Sequence, residues 1–193
     1  MIGDGGLNND WQATISLNAK SDQSYSSYIS CLCYKLFKTK TKSLVKEAKN
    51  TLIIYLNSTT IVDFLMDKGL PRGNKLKAGL KIPEWIFENN EFRKACVRGL
   101  IDTDGCLYIH IHKSKWGKTY RNLGLNFSSY SSELLHQVAE ILHENDIVPH
   151  INKSGTGIFL YSVPAIERYL RVFSSSNNRI TSIYNQWRDA RVV

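Results

Sequence analysis

The stretch Phe92-Arg-Lys-Ala-Cys-Val-Arg-Gly-Leu-Ile-Asp-Thr-Asp-Gly105 decides how the rest of the chain is read. Phe92, Ala95, Cys96, Gly99, Leu100 and Thr103 repeat at the i, i+3, i+4, i+7 spacing of one helical face, and Arg93, Lys94 and Arg98 lie off it. Ala95 and Gly99, one turn apart, predict a close backbone approach by whatever packs there. Gly105 stands where a C′ glycine ends a helix. Asp102 and Asp104 fall in the last turn, where unpaired carbonyls and the helix dipole already make the surroundings negative. Each acid costs a few tenths to about 1 kcal/mol there. A hard divalent cation, which favours carboxylate and carbonyl oxygens, would remove that cost. An EF-hand fails as an explanation. Counted from Asp102, the twelfth position is Lys113 rather than Glu, and the glycine comes two residues early.

The same punctuation occurs twice. Met1-Ile-Gly-Asp-Gly-Gly-Leu7 and Thr103-Asp-Gly-Cys-Leu107 share Asp-Gly-x-Leu about one hundred residues apart, and Leu56–Leu65 resembles Leu160–Leu170 with one insertion. A duplicated unit follows. In each unit a strand of period two comes after the Asp-Gly turn. Trp11, Ala13, Ile15 and Leu17 alternate with Gln12, Thr14, Ser16 and Asn18; Leu107, Ile109 and Ile111 alternate with Tyr108, His110 and His112. Leu123, Leu125 and Phe127 alternate in the same way with Asn122, Gly124, Asn126 and Ser128. Such alternation predicts sheets with one buried and one wet face.

Helices are predicted over Asp22–Phe37 (stripe Tyr25, Tyr28, Ile29, Leu32, Leu36) and Ser132–Asn145 (Leu134, Leu135, Val138, Ile141, Leu142). Hairpins follow, turning at Asn50 and at Ser154-Gly-Thr. Short helices over Thr60–Lys68 and Pro164–Phe173 close the units, and a last helix is predicted from Ile180 to Arg191.

Arg98-Gly-Leu-Ile-Asp-Thr-Asp-Gly105 resembles the motif of the LAGLIDADG homing endonucleases, and Ile82-Pro-Glu-Trp-Ile86 resembles the segment that introduces the second motif in two-motif members. The resemblance implies an α+β fold of two pseudosymmetric αββαββα halves forming a DNA-binding saddle. The halves are expected at residues 1–70 and 83–193, joined by a linker at 71–82. It further implies that Asp4 and Asp104 are catalytic and hold Mg²⁺, or another hard divalent cation, with the carbonyls of Gly3 and Thr103. The first motif keeps only Met1 to Gly5, so the helix expected before Asp4 is missing from the sequence. A longer natural chain, a decaying copy, or a partner supplying the helix would each account for this.

A net charge of +8 and a pI near 9.3 point to an acidic polymer. On the wet faces Gln12, Asn18 and Asn126 suit adenine edges, flanked by Thr14, Ser16, Tyr108, His110, His112 and Ser128. Lys38, Lys40 and Lys42 in the first unit, and Lys113, Lys115, Trp116, Lys118, Arg121 and Lys153 in the second, suit a phosphate backbone. Lys49 and Lys153 are the candidates for the basic residue that the family places beside its metals.

His110 and His112 lack a third ligand at zinc spacing. Cys31, Cys33, Cys96 and Cys106 fit no zinc or disulfide framework and are expected as reduced, small apolar side chains. No run of about 18 apolar residues predicts a membrane span, and the N-terminus lacks a secretion signal. The expectation is a cytoplasmic or organellar monomer that cleaves double-stranded DNA at a specific site, in the context of an intron or intein. The alternative is a weak or inactive DNA- or RNA-binding module of the same fold, such as an intron maturase or a regulator.

Overall fold

Alternation of apolar and polar side chains builds both sheets of the computed structural model, which describes residues 1–190. The chain divides into two units, Met1–Glu88 and Asn89 onward. In the first, β1 (Gly5–Asn9), β2 (Gln12–Asn18), α1 (Gln23–Phe37), β3 (Lys42–Lys46), β4 (Thr51–Asn57) and α2 (Thr59–Asp67) follow one another. The strands form an antiparallel sheet of order β1-β2-β4-β3. Ala13, Ile15 and Leu17 of β2 share one buried cluster with Leu52, Ile54 and Leu56 of β4, Tyr25, Ile29 and Cys33 of α1, and Ile61, Val62 and Leu65 of α2.

The expected hairpin turn holds, since Asn50 takes a left-handed conformation at φ 47°. So does the end of α2, where Ser58 caps the first turn and Gly69, at φ 88°, follows the last. Strand β1 was not visible in the alternation because its glycines carry no pattern. Tyr28, Leu36 and Trp11 were expected to face the core and are instead exposed: the buried stripe of α1 follows i, i+4 through Tyr25, Ile29 and Cys33, and Trp11 stands at the β1–β2 turn.

Residues 71–88 lie within the first unit. Leu80, Ile82 and Ile86 are buried, and the Trp85 indole N–H donates to the Lys68 carbonyl at 2.9 Å.

The second unit repeats the order with a leading helix: α3 (Asn90–Asp104), β5 (Gly105–Lys113), β6 (Thr119–Ser128), α4 (Ser132–His143), β7 (His150–Ile151), β8 (Gly157–Leu160), α5 (Val163–Val172) and α6 (Asn178–Asp189). Its sheet has order β5-β6-β8-β7. Helix α4 buries Leu134, Leu135, Val138, Ile141 and Leu142 as its periodicity predicts. Arg191, expected at the end of the last helix, lies outside the described residues.

The buried face of α3 differs from the expected one. The helix packs on β5, β6 and α4, and the side chains that go inside are Val97, Leu100 and Ile101. Phe92 and Ala95 are exposed, and a Cβ on Gly99 would meet nothing within 4 Å. The physical reason is that α3 is apolar on two sides, and both stripes satisfy the same spacing. Of the cysteines, Cys33 is buried and Cys96 half-buried, whereas Cys31 and Cys106 are exposed and so are not packed as small apolar residues. Among the described residues no helix is long and apolar enough to cross a membrane.

Candidate nucleic-acid and metal site

Helix α3 passes into β5 without a loop, and Gly105 makes that junction possible. Its backbone is extended, φ −85° and ψ 160°, so it is not the left-handed cap expected from the sequence. The requirement is closeness. A Cβ there would lie 2.5 Å from the Ile101 carbonyl oxygen and 2.8 Å from its Cα, both of them backbone atoms. Gly5 stands in the same relation to Met1, at 2.5 Å from Cα and 2.8 Å from the carbonyl oxygen. Gly105→Ala is expected to destabilise the second unit by about 1–3 kcal/mol, the range for forced overpacking, read as a lower denaturant midpoint at unchanged slope. A midpoint equal to the parent's would show that the junction relaxes freely.

The acids of the last turn have different fates. Asp102 is 1% exposed. The Ser175 hydroxyl donates to its Oδ1 at 2.5 Å and the Ser176 backbone N–H to its Oδ2 at 2.9 Å. Burial pushes its carboxyl above the ordinary 3.8, against the opposing effects of the Ser175 and Ser176 hydrogen bonds and the Arg98 and Arg179 charges. No cation is therefore needed to account for this acid; the loop after α5 satisfies it. Asp104 is exposed and, among the described residues, receives the neighbouring Thr103 hydroxyl at 3.0 Å.

Carbonyl oxygens next to both acid turns carry basic side chains that the sequence reading missed. The Lys75 ammonium donates to the carbonyls of Ile2 (2.9 Å), Gly3 and Gly5 (2.6 Å) around Asp4. The Arg179 guanidinium donates to the carbonyls of Asp102 (3.3 Å) and Gly105 (3.2 Å) around Asp104. Asn177 adds a bond from its side-chain amide to the Asp102 carbonyl at 2.9 Å. Each basic residue follows the helix that closes its half, α2 or α5. Lys49 and Lys153, the sequence candidates for this role, instead lie exposed in or beside the β3–β4 and β7–β8 turns.

Carboxylate plus converging carbonyls is the donor chemistry of a hard cation, and in the first unit a tethered ammonium already exploits it. The carboxylates of Asp4 and Asp104 and the carbonyls of Gly3 and Thr103 are oxygen donors of the type a divalent ion takes. Among the described residues no group of three or more His, Cys, Asp or Glu side chains could hold a metal by itself.

The wet faces are as expected for most predicted contacts. In β2 the buried residues alternate with Gln12, Thr14, Ser16 and Asn18. Lys42 joins this face, because it pairs with Tyr55 and Tyr55 with Thr14. Asn18 is partly committed: its Oδ1 accepts from Lys20 N, Ser21 N and Asn50 Nδ2, which leaves it unsuited to the bidentate adenine contact expected of it. Lys38 ends α1 in a left-handed conformation and Lys40 is exposed beyond it.

In the second unit Tyr108, His110, His112, Asn126 and Ser128 share the wet face. His110 stacks on His112 with ring centroids 5.2 Å apart, and His112 on Tyr120 at the same distance. Lys115 lies over the Trp116 ring and Lys118 over Tyr120 at the hairpin end. Lys113 and Arg121 fall by register on the opposite face, opposite Thr119 and Ile111, and so do not join the group with which they were expected.

Comparison with known proteins gives one family match, over part of the chain. Residues 91–181 match the model of the LAGLIDADG-like domain. The fold is similar to LAGLIDADG meganuclease I-AabMI bound to uncleaved DNA (TM-score 0.61, 11% identity, 98% of this chain and 86% of that one). It is also similar to full-length DUF199/WhiA from Thermatoga maritima (0.56, 14%, 96% and 56%) and to I-DmoI in complex with DNA and Mn (0.52, 14%, 86% and 81%). At these identities the likeness is one of fold. No curated protein matches the sequence.

Proposed function

We propose, on the premise that this chain carries a LAGLIDADG-like domain and has the homing-endonuclease fold, that it is a metal-dependent endonuclease acting on double-stranded DNA. The observation that supports this best is the repeated acid turn: an aspartate ahead of a close-packed glycine, with a basic side chain fixed on the adjoining carbonyls. Asp4 and Asp104 would hold the divalent ions together with the carbonyls of Gly3 and Thr103. When bound, such ions stabilise charge on the attacking and leaving oxygens of a phosphodiester and acidify a bound water.

The chain's own residues do the rest. Lys75 and Arg179 hold the acid turns rigid and place positive charge where a phosphate gathers negative charge. Gln12, Thr14 and Ser16 present amide and hydroxyl groups to base edges, and Lys38, Lys40, Lys42, Lys115, Lys118 and Lys153 bind phosphates without reading sequence.

A second reading rests on Lys75. Its ammonium already engages the Gly3 carbonyl, one of the proposed metal ligands, so the fold could serve as a DNA- or RNA-binding module without metal.

The experiment is incubation with a randomised duplex library in Mg²⁺ and, separately, in chelator, followed by end sequencing. Recurrent breaks at one sequence, in Mg²⁺ only, are expected. Duplex affinity should fall by about 10³-fold or more between 50 and 200 mM salt if six or more phosphates are neutralised. Salt-sensitive binding with no breaks in Mg²⁺ or Mn²⁺ selects the module, and absence of duplex binding removes the endonuclease and leaves only a module that binds RNA.

A further inference from the structure

The two wet faces have different chemistry. That of the first unit carries Gln12, Thr14, Ser16, Thr51 and Asn57, with Tyr55 its single ring on β2 and β4. That of the second carries Tyr108, His110, His112, Tyr120, Phe159 and Tyr161, five of them in parallel stacks: His110 with His112, His112 with Tyr120, and Phe159 with Tyr161 at 5.6 Å. Rings offer flat surfaces rather than directed hydrogen bonds, and stacking on side chains needs a base whose faces are free. A duplex keeps those faces covered.

The second face also contains a slot. Strand β8 pairs with β6 from Leu125 to Ser128, so among the described residues no strand lies beside 119–124 on that side. Gly124 supplies no side chain, and the Tyr108 ring lies so close over it that a Cβ would come within 2.4 Å of the phenol carbon. The result is a cavity of about 300 Å³ lined by Tyr108, His110, Asn122, Leu123, Gly124 and Tyr161. That volume is at the lower end for small-ligand pockets. Burial and the neighbouring Tyr161 push the Tyr108 hydroxyl upward, keeping it a neutral donor beside the slot. Asn122 offers an amide donor and acceptor for a base edge. From Gly105 to Ser128 the hairpin contains no Asp or Glu, and Lys115 and Lys118 stand over the rings at its end, so a phosphate chain running along this face meets no acid of the hairpin.

We infer that this slot binds an unpaired nucleobase, stacked against Tyr161 and Tyr108, from a single-stranded or looped-out segment of DNA or RNA. The inference rests on the nucleic-acid reading above and adds a substrate feature to it: the first unit presents groups suited to paired bases, the second a place for one that has left its pair. Tyr161 is exposed and lies just past β8, so its replacement does not threaten the core.

The test uses 2-aminopurine, whose fluorescence falls on stacking, placed in a single-stranded DNA, in the equivalent RNA and in a fully paired duplex. The parent, Tyr161→Ala and Tyr161→Phe are titrated with each. Expected is quenching of the single strands by the parent and by Tyr161→Phe. Tyr161→Ala should weaken single-strand affinity by roughly 5- to 100-fold, the range for losing one base–aromatic stack, with duplex affinity within twofold. The DNA and RNA arms tell which strand supplies the base. Equal loss for single strand and duplex, or single-strand binding without quenching, overturns the slot and leaves the duplex reading standing. No binding of any nucleic acid overturns both.

Discussion

Asp104→Asn is expected to lower DNA cleavage by about a thousandfold while leaving duplex affinity within a few-fold of the parent. A carboxylate that holds a metal contributes several kcal/mol to charge stabilisation, and a thousandfold corresponds to about 4 kcal/mol. The substitution suits the test because Asp104 is exposed and its side chain accepts a hydrogen bond from the adjacent Thr103 hydroxyl. The amide keeps the size and removes the charge, so the fold has no reason to change. Without metal the variant should bind duplex slightly more tightly, since one negative charge near the phosphates is gone. A variant that cuts at the parent's rate would falsify the assignment of this acid, and Asp4 would then need the same scrutiny. Unaltered binding with abolished cutting separates chemistry from recognition.

Its neighbour two residues earlier should behave in the opposite manner. Asp102→Ala is expected to destabilise the second unit by about 3 kcal/mol, because the Ser175 hydroxyl and the Ser176 N–H lose their acceptor and a buried unpaired donor costs about 1–3 kcal/mol. For a unit near 100 residues that lowers its melting temperature by roughly 15 °C. Cleavage at low temperature, where the variant stays folded, should persist in part.

Asp102→Asn adds a pH signature. The folded-state carboxyl titrates above 3.8, so the folded protein binds this proton more tightly than the unfolded chain does. The contribution to stability is fully present below 3.8 and is lost as pH rises through the folded value. The Asn variant lacks that segment, so the stability difference between parent and variant should change over the interval just above 3.8 and be flat at neutral pH. A difference independent of pH across that interval would show that the acid is not perturbed. Calorimetry of parent and variants between pH 3 and 7 reads both effects.

Much of the architecture was legible in the sequence because burial in a half-wet sheet imposes period two, and Ala13-Ile15-Leu17 and Leu123-Leu125-Phe127 obey it without interruption. The Asp-Gly repeat gave the duplication. Periodicity could not say which of two apolar stripes of α3 faces inward: of the expected face Phe92, Ala95, Cys96, Gly99, Leu100 and Thr103 only Leu100 is buried, and Val97 and Ile101 join it instead. Register corrected Lys113 and Arg121, since alternation continues to a hairpin's end and assigns them to the other face. Lys75 and Arg179 escaped because their partners are backbone carbonyls some 70 to 77 residues away, and a carbonyl leaves no mark in a sequence. A usable signal existed all the same: a basic residue stands after the closing helix in both copies.

The fastening of each acid turn by a side chain so far downstream carries a consequence for synthesis. The aspartate emerges early, but its anchoring cation is translated only after the intervening strands and α2 or α5 are complete. A chain interrupted before residue 75 holds Asp4 with no clasp on the carbonyls beside it, so that turn is completed only once the segment after α2 has been made.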